Sequence, residues 1–525
     1  MFFVEYRLMC LKKIFKPMGL GGASALIAFA SFLSYAVGLL RDRTIAVHFG
    51  TTTATDTYNA SFLIPDILFN LFIAGALVAA FMPIFSEYLE KNRKEAFALA
   101  NTMISGASLL IAFLAVVAFI FMESIIPAMF PSVDPEGQMN IIYMTRLMLP
   151  SAFLFAISNT LGNILMTYRH FFSFAISPVL YNLGIILGIV FLNGKFGIHS
   201  AAIGVLIGAS FHLLIRLVDI FYTGYKYKPQ LKIKHPGFKK IIKLMIPKSI
   251  SLIAWQLNLY IFAVVGMRMM EGGLAAFNFA RNIQSFAVSL FGIAFATAVF
   301  PSLNSAISKG DKASFTKNIQ TTLHRILFFT IPAMVGLMLL AESVTDLILG
   351  GGAFGEESIK LTSIILFFFA LSIPLESLNH LFARSFYAMK NTMTPMLINI
   401  FSLTVVALIT IFVAPVFGIE WFSIGFTVGF VLYNILFITL LKRHLQEFDF
   451  KKLFKSLTKT LISTAVMGVI VYISQDLEGI INVPEKAFHV SRIALGGITY
   501  LSTAYLLKSP EVHSIQFLLK RLIKR

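Results

Sequence analysis

Two long stretches of this chain, about 220 residues apart, are copies of one another written in almost continuously apolar sequence. Phe196-Gly197-Ile198, followed by Ile203-Gly204 and Gly208, returns as Phe417-Gly418-Ile419, Ile424-Gly425 and Gly429. Ahead of that motif, Ser177-Pro178 with Leu180 and Asn182 answers to Thr394-Pro395 with Leu397 and Asn399, and Pro83 with Phe97 answers to Pro301 with Phe315. Duplication inside a many-spanning membrane protein leaves few folds open. It is the build of a transporter whose two bundles enclose a central site.

The apolar content sets the class. Of 525 residues, 57% are hydrophobic and only 13% charged, and 54 are Phe, far more than a soluble core needs. A spanning helix takes roughly 20 mainly apolar residues. By that measure the chain holds about fourteen segments, beginning at 19–49 and 56–88 and ending at 454–474 and 488–507. Several exceed the minimum, which implies tilt, kinks at Pro65, Pro150, Pro247 and Pro374, or ends standing in water. The repeat offset covers six segments, an even number, so the copies enter the membrane in the same sense. The expected fold is therefore all-α and polytopic, with two parallel six-helix repeats followed by two extra C-terminal helices.

Lys and Arg placement orients these segments, because cytoplasmic loops retain positive charge. The start of the chain (Arg7, Lys12, Lys13, Lys16), the 224–244 stretch with seven lysines, and the 304–325 and 442–459 loops are basic, as is the C-terminal tail. The stretches 123–137, 342–357 and 413–420 contain acids and no Lys or Arg. Both termini are expected inside. The organisation read from this is a basic N-terminus at 1–18, an N-lobe at 19–223, a basic linker at 224–237, a C-lobe at 238–441, the added pair at 442–507, and a basic amphipathic tail at 508–525. The net charge of +18 then reflects loops facing anionic lipid, and no nucleic-acid partner is expected. In the tail, Ile515, Leu518, Leu519, Leu522 and Ile523 form an apolar stripe beside Lys520, Arg521, Lys524 and Arg525, which suits a helix lying in the interface.

Charges inside spans are costly and point to a water-filled cavity or a paired interior. The first segment carries Arg41, Asp42 and Arg43 before apolar sequence resumes. Neighbouring side chains on a helix point apart, so Arg41 and Asp42 are not expected to cancel. Asp56, Asp66, Arg146, Arg216, Asp219, Lys248, Arg281, Glu376 and Arg384 complete the set. Arg41 and Arg281, on segments 1 and 8, are placed to offer guanidinium forks to a phosphate-bearing substrate at the seam between the copies. The plainer alternative pairs Arg41 with Asp56 and Arg216 with Asp219. Lys248 and Arg384 fall near cytoplasmic ends, where they can snorkel.

No motif supports an enzyme: there is no phosphate-binding glycine loop, no His-Glu-x-x-His and no nucleophile elbow. The single cysteine, Cys10, excludes a disulfide framework and a cysteine metal site. His212 and His380 lie on apolar segments and read as helix–helix hydrogen bonders. Gly184 with Gly188, and Gly204 with Gly208, have helix-packing spacing.

Gly38-Leu39-Leu40-Arg41-Asp42, then Thr55-Asp56, then Gly75-Ala76 with Phe81 and Pro83, resembles the opening of the MurJ (MviN) family of lipid II flippases in the MOP exporter superfamily. Gly352-Ala353-Phe354, and Arg384-Ser385-Phe386-Tyr387-Ala388 through Lys390-Asn391-Thr392 to Thr394-Pro395, extend the resemblance across essentially the whole chain. It implies a flippase for the undecaprenyl-pyrophosphate-linked disaccharide-pentapeptide precursor of peptidoglycan in the bacterial inner membrane. It also implies a cationic cavity lined by segments 1, 2 and 8, and a groove for the lipid tail at segments 13 and 14. Arg41, Asp42 and Asp56 match family positions. The chain departs from the family at Tyr35, Phe69 and Asn70, where arginines are usual, at Ala74 in place of a glutamate, and at Asn282, with Arg281 one position early. One residue along a helix turns a side chain by about 100°. The expected substrate-binding set is Arg41, Asp42, Asp56, Asn70, Arg281 and Asn282.

No cofactor is expected. Moving about two negative charges outward against 100 mV, inside negative, gains roughly 4–5 kcal/mol, so the membrane potential can bias export. A coupling ion that resets the empty carrier stays open, as do cell-wall synthesis proteins as partners. Alternatives to the peptidoglycan precursor are another polyprenyl-linked glycan, an ion-coupled exporter of small amphiphiles, and a non-transporting membrane scaffold.

Overall fold

A bilayer offers no water to backbone N–H and C=O groups, so a chain of this composition must satisfy them within helices. The computed structural model describes residues 17–72, 74–446, 448–477 and 483–512, without side chains at 20, 21, 23–25, 71–80, 246–248, 250 and 251. Cys10, the basic residues Arg7 to Lys16, the stripe and basic end of the tail from Ile515 to Arg525, and the side chains of Ala74, Gly75, Ala76, Pro247 and Lys248 lie outside the described residues. Among the described residues regular structure is helical, with one isolated bridge between Gly351 and Phe354. Ten helices are long and apolar enough to cross a membrane, or eleven if Glu356–Ala370 and Ile373–Ala388, bent by 47°, form one span. This is an all-α, many-spanning membrane protein.

The chain divides into two compact units, Met1–Leu274 and Ala275–Arg525. In the first, α1 covers Leu20–Phe49, α2 Thr53–Ser61, α3 Leu63–Phe72 and α4 Ala74–Lys91. Then come α5 (Arg93–Met129), α6 (Pro135–Thr167), α7 (Phe172–Phe196), α8 (His199–Ile220) and α9 (Pro236–Met269). By repeat arithmetic α9 opens the second copy. In space it packs on α3 and α4.

The run 56–88, expected as one segment, is instead divided among α2, α3 and α4. Pro65 has no N–H to return to the Ser61 carbonyl, which accepts from Thr145 Oγ1 at 3.3 Å instead. Hydropathy is continuous across that break, so apolar content alone does not reveal it.

In the first unit α7 and α8 pack backbone to backbone. A Cβ at Gly184 would lie 2.2 Å from the Gly208 Cα, and one at Gly188 would lie 2.4 Å from the Gly204 Cα. The four glycines face one another, and the helix backbones touch.

In the second unit, α10 (Gly273–Ala287) runs through a π turn at Val288–Ile293 into α11 (Ala294–Ser308). Beyond it lie α12 (Lys312–Leu339), α13 (Ala341–Leu349), α14 (Glu356–Ala370) and α15 (Ile373–Ala388). The bend between α14 and α15 precedes Pro374, one of the expected kink positions. Next come α16 (Met393–Leu408), which continues through a π turn at Ile409–Val413, and α17 (Trp421–Leu441). The helices outside the duplication, α18 (Phe450–Ile473) and α19 (Glu485–Leu506), pack together, and α18 lies along α12. Tyr500 fixes α19 to the same helix by donating to the Phe328 carbonyl at 2.5 Å.

Candidate functional site

The central element of the first unit's polar interior is Arg41. Its Nη2 and Nε donate to Asp42 Oδ1 at 2.7 and 3.0 Å, and its Nη1 donates to Asn182 Oδ1 at 3.0 Å. Asn182 in turn donates to the Pro178 and Ser34 carbonyls at 3.2 and 3.4 Å, so α7 holds the acceptor in place. The expectation that Arg41 and Asp42 point apart is corrected here. Their Cα–Cβ bonds do diverge, but the arginine side chain is long enough to fold back over its neighbour. The Arg41 side chain keeps 24% of its surface exposed against 6% for Asp42, so the cation remains reachable while its counter-charge is enclosed.

Tyr58 and Tyr181 lie within electrostatic range of Arg41, and Asp66 lies within range of both tyrosines. Asn70, expected to face substrate, turns its amide onto its own helix and donates to the Asp66 carbonyl at 3.0 Å. Phe69 packs on Phe155 with ring centroids 5.5 Å apart, and Tyr35 is exposed. Asp56 stands apart from the Arg41 pair: it is buried and accepts from the Gly272 N–H at 2.8 Å. Beside it, Glu271 accepts from the Thr53 N–H and hydroxyl at 3.1 and 2.9 Å, and these bonds hold its carboxyl below the usual range. Gly272 has φ +71°, and a Cβ there would meet the Thr51 carbonyl oxygen at 2.1 Å, so this loop junction needs glycine.

The second unit has its own charged group. Arg281 and Glu376 lie within electrostatic range of each other, and Gln284 Nε2 donates to Glu376 Oε2 at 2.8 Å and to Ser372 Oγ at 3.0 Å. Arg281 and Asn282 are both half-buried on α10. Gly292, in the π turn beyond them, lets α15 approach so closely that a Cβ would lie 2.6 Å from the Ser377 Cβ. A π turn adds a residue to the helical turn and re-aims the side chains beyond it, a device found often at functional sites.

Against this geometry, the family model for the lipid II flippase MurJ matches residues 45–479. The chain belongs to the MurJ family. Among MurJ relatives, a probable lipid II flippase of Thermotoga maritima is 27% identical over 490 residues, covering 93% of this chain and 97% of its own length. The lipid II flippase of Burkholderia cenocepacia is 26% identical over 435 residues, covering 81% and 84%. A solved MurJ in an inward closed conformation superposes with a TM-score of 0.79 at 25% identity, over 92% of this chain and 98% of that one. An inward-facing multidrug MATE transporter of the MOP superfamily shares the fold, with a TM-score of 0.66 at 17% identity, over 79% of this chain and 94% of its own. The chain is thus a membrane transporter by family and not an enzyme.

The two local pairings named from the sequence, Arg216 with Asp219 and Arg41 with Asp56, are not formed. Arg216, 2% exposed, donates to the Ser158 carbonyl and Asn159 Oδ1 at 2.8 and 3.0 Å and stacks over Phe174, while Asp219 takes His170 Nδ1 and the Ser173 hydroxyl. Groups outside α8 thus take both charges, each satisfying one by direct hydrogen bonds. Arg41 likewise pairs with Asp42 and not with Asp56. Arg146 does meet a local acid, Glu123, at 3.1 Å, and His212 bonds to Ser158 across helices at 2.8 Å. Arg384 donates to Thr297 and to the His380 carbonyl. Asn182, the acceptor that positions Arg41, was visible in the sequence only as a polar residue repeated at Asn399 within apolar surroundings. Nothing in its spacing joined it to the first helix.

Proposed function

We propose that this chain carries lipid II from the inner to the outer leaflet of the bacterial cytoplasmic membrane by alternating access, with both termini in the cytoplasm. The family match covers most of the chain and supports the substrate class. The observation that carries the site is Arg41, a guanidinium held in a spanning helix by Asp42 and Asn182 yet left partly open. A pyrophosphate offers the strong, multidentate acceptor that such a fork prefers. On this reading Asp42 and Asn182 orient the cation and Asp56 secures the adjoining loop. The membrane potential supplies the outward bias, and no cofactor is required.

Complementation of a conditional lipid II flippase depletion strain, with outer-leaflet lipid II assayed in the same cells, tests this. Wild type is expected to restore the outer-leaflet pool. Well-expressed Arg41→Ala is expected to lose most of it, and equal rescue by both would remove Arg41 from the mechanism. Failure of well-expressed wild type in a permissive host would favour a different polyprenyl-linked glycan, consistent with the lighter charge at Phe69, Asn70 and Asn282.

A further inference from the structure

Away from the polar interior, three side chains of the second unit converge where α19 begins. Asp346 comes from α13, and Glu485 and His489 lie one turn apart on α19. One oxygen from each carboxylate and a ring nitrogen all lie within 4.8 Å of one another. His489 Nε2 stands 3.7 Å from Asp346 Oδ2 and 3.8 Å from Glu485 Oε1, too long for hydrogen bonds. The imidazole is only 6% exposed, and its Nδ1 has no hydrogen-bond partner. A buried imidazole without a hydrogen bond is expensive. This one aims its second nitrogen between two carboxylates.

We propose that Asp346, Glu485 and His489 form a site for a divalent first-row transition ion of the Zn2+ class. Ligand atoms each about 2.0–2.1 Å from a tetrahedral ion stand about 3.4 Å from one another. The two separations to His489 Nε2 are a few tenths of an ångström wider and the carboxylate oxygens lie within 4.8 Å of each other, gaps that rotation of the exposed Glu485 and a shift of Asp346 close. One imidazole and two carboxylates, with a position open to water, is a donor set Zn2+ accepts, whereas Ca2+ asks for six to eight oxygens. The adjacent Lys486 does not fill the role: its Nζ donates to the Gly350 carbonyl at 3.0 Å, and no ion pair joins it to either carboxylate among the described residues. The ion ties the first turn of α19, half of the helix pair outside the duplication, to the body of the second unit through α13. The stretch 342–357 has no Lys or Arg. By the charge rule this places the site on the extracytoplasmic face, where exchangeable metal can reach it.

The test uses the untagged full-length protein in nanodiscs, stripped with chelator and titrated with Co2+ and then Zn2+. One equivalent of Co2+ per chain, with the intense visible bands of a four-coordinate ion that Zn2+ abolishes, is expected, together with a rise in melting temperature on adding Zn2+. His489→Gln and Asp346→Asn are expected to weaken binding at least tenfold and to lose the Zn2+-dependent rise. Glu485→Gln, at an exposed position that tolerates change, is expected to weaken binding less while melting normally without metal. Absence of stoichiometric Co2+ or Zn2+ binding by wild type overturns the proposal. So does binding that persists undiminished in Glu485→Gln and His489→Gln.

Discussion

The glycine motif that reveals the duplication does different work in its two copies. In the first, Gly184 and Gly188 of α7 meet Gly208 and Gly204 of α8, and the obstacles a new methyl would strike are backbone atoms at 2.2 and 2.4 Å. In the second, the α8 glycines return as Gly425 and Gly429 on α17, but Phe401 and Val405 stand where repeat arithmetic places the α7 pair. There a Cβ on Gly429 would meet Val406 Cγ2 at 2.5 Å, and one on Gly425 would meet Ile409 Cγ2 at 3.1 Å. Ser402 also donates to the Gly429 carbonyl at 2.6 Å, so a hydrogen bond and side chains hold the second seam where bare backbone holds the first. The helix of the second copy passes into a π turn at Ile409, whereas α7 is α-helical throughout. Duplicated sequence thus preserves where two helices cross without preserving what lies between them.

Substitution by alanine separates the two seams. Gly184→Ala and Gly188→Ala are expected to be the most damaging, at about 3 kcal/mol or more, because relief requires whole helices to move apart. Thermal unfolding of purified variants in detergent measures this, and a loss below that of the second-copy variants would break the contrast. Gly429→Ala is expected to cost less, about 1–2 kcal/mol, because Val406 supplies the obstruction. Adding Val406→Ala should recover a substantial part of that loss. No side-chain truncation on α8 should rescue Gly184→Ala, and a double-mutant comparison of the two seams makes this difference quantitative. Gly425→Ala is expected to be nearly neutral: the strain against Ile409 is opposed by the roughly 1 kcal/mol that alanine gains over glycine within a helix. A large destabilisation there would mean that the second seam is as unforgiving as the first.

Much of this fold could be read from composition and period. Apolar runs marked the helices, Pro374 marked the bend between α14 and α15, and the spacing of Gly184, Gly188, Gly204 and Gly208 marked a close seam. The partners of the charges were less accessible, because each was set by tertiary approach. Arg41 took Asp42 through the reach of its own side chain and Asn182 from a helix far along the chain. Arg216 and Asp219 ignored each other for acceptors and donors on α6, on α7 and in the loop between them. Pro65 marked a kink, but the apolar sequence on both sides concealed that the run 56–88 divides into separate helices. His489 was one histidine among ten, and only the approach of α13 to α19 distinguishes it.

The acceptors of Arg216 also bear on how the protein is made. An arginine at the centre of a spanning helix costs roughly 2.5–3.5 kcal/mol at insertion, and Arg216, in the last two turns of α8, carries part of that cost. Ser158 and Asn159 precede Arg216 by 58 and 57 residues, and Phe174, His170 and Ser173 also come earlier in the chain than α8. Synthesis runs from the N-terminus, so when α8 leaves the ribosome every group that receives its two charges is already ahead of it in the nascent chain. This helix enters the membrane last among its partners, into a niche its predecessors have prepared.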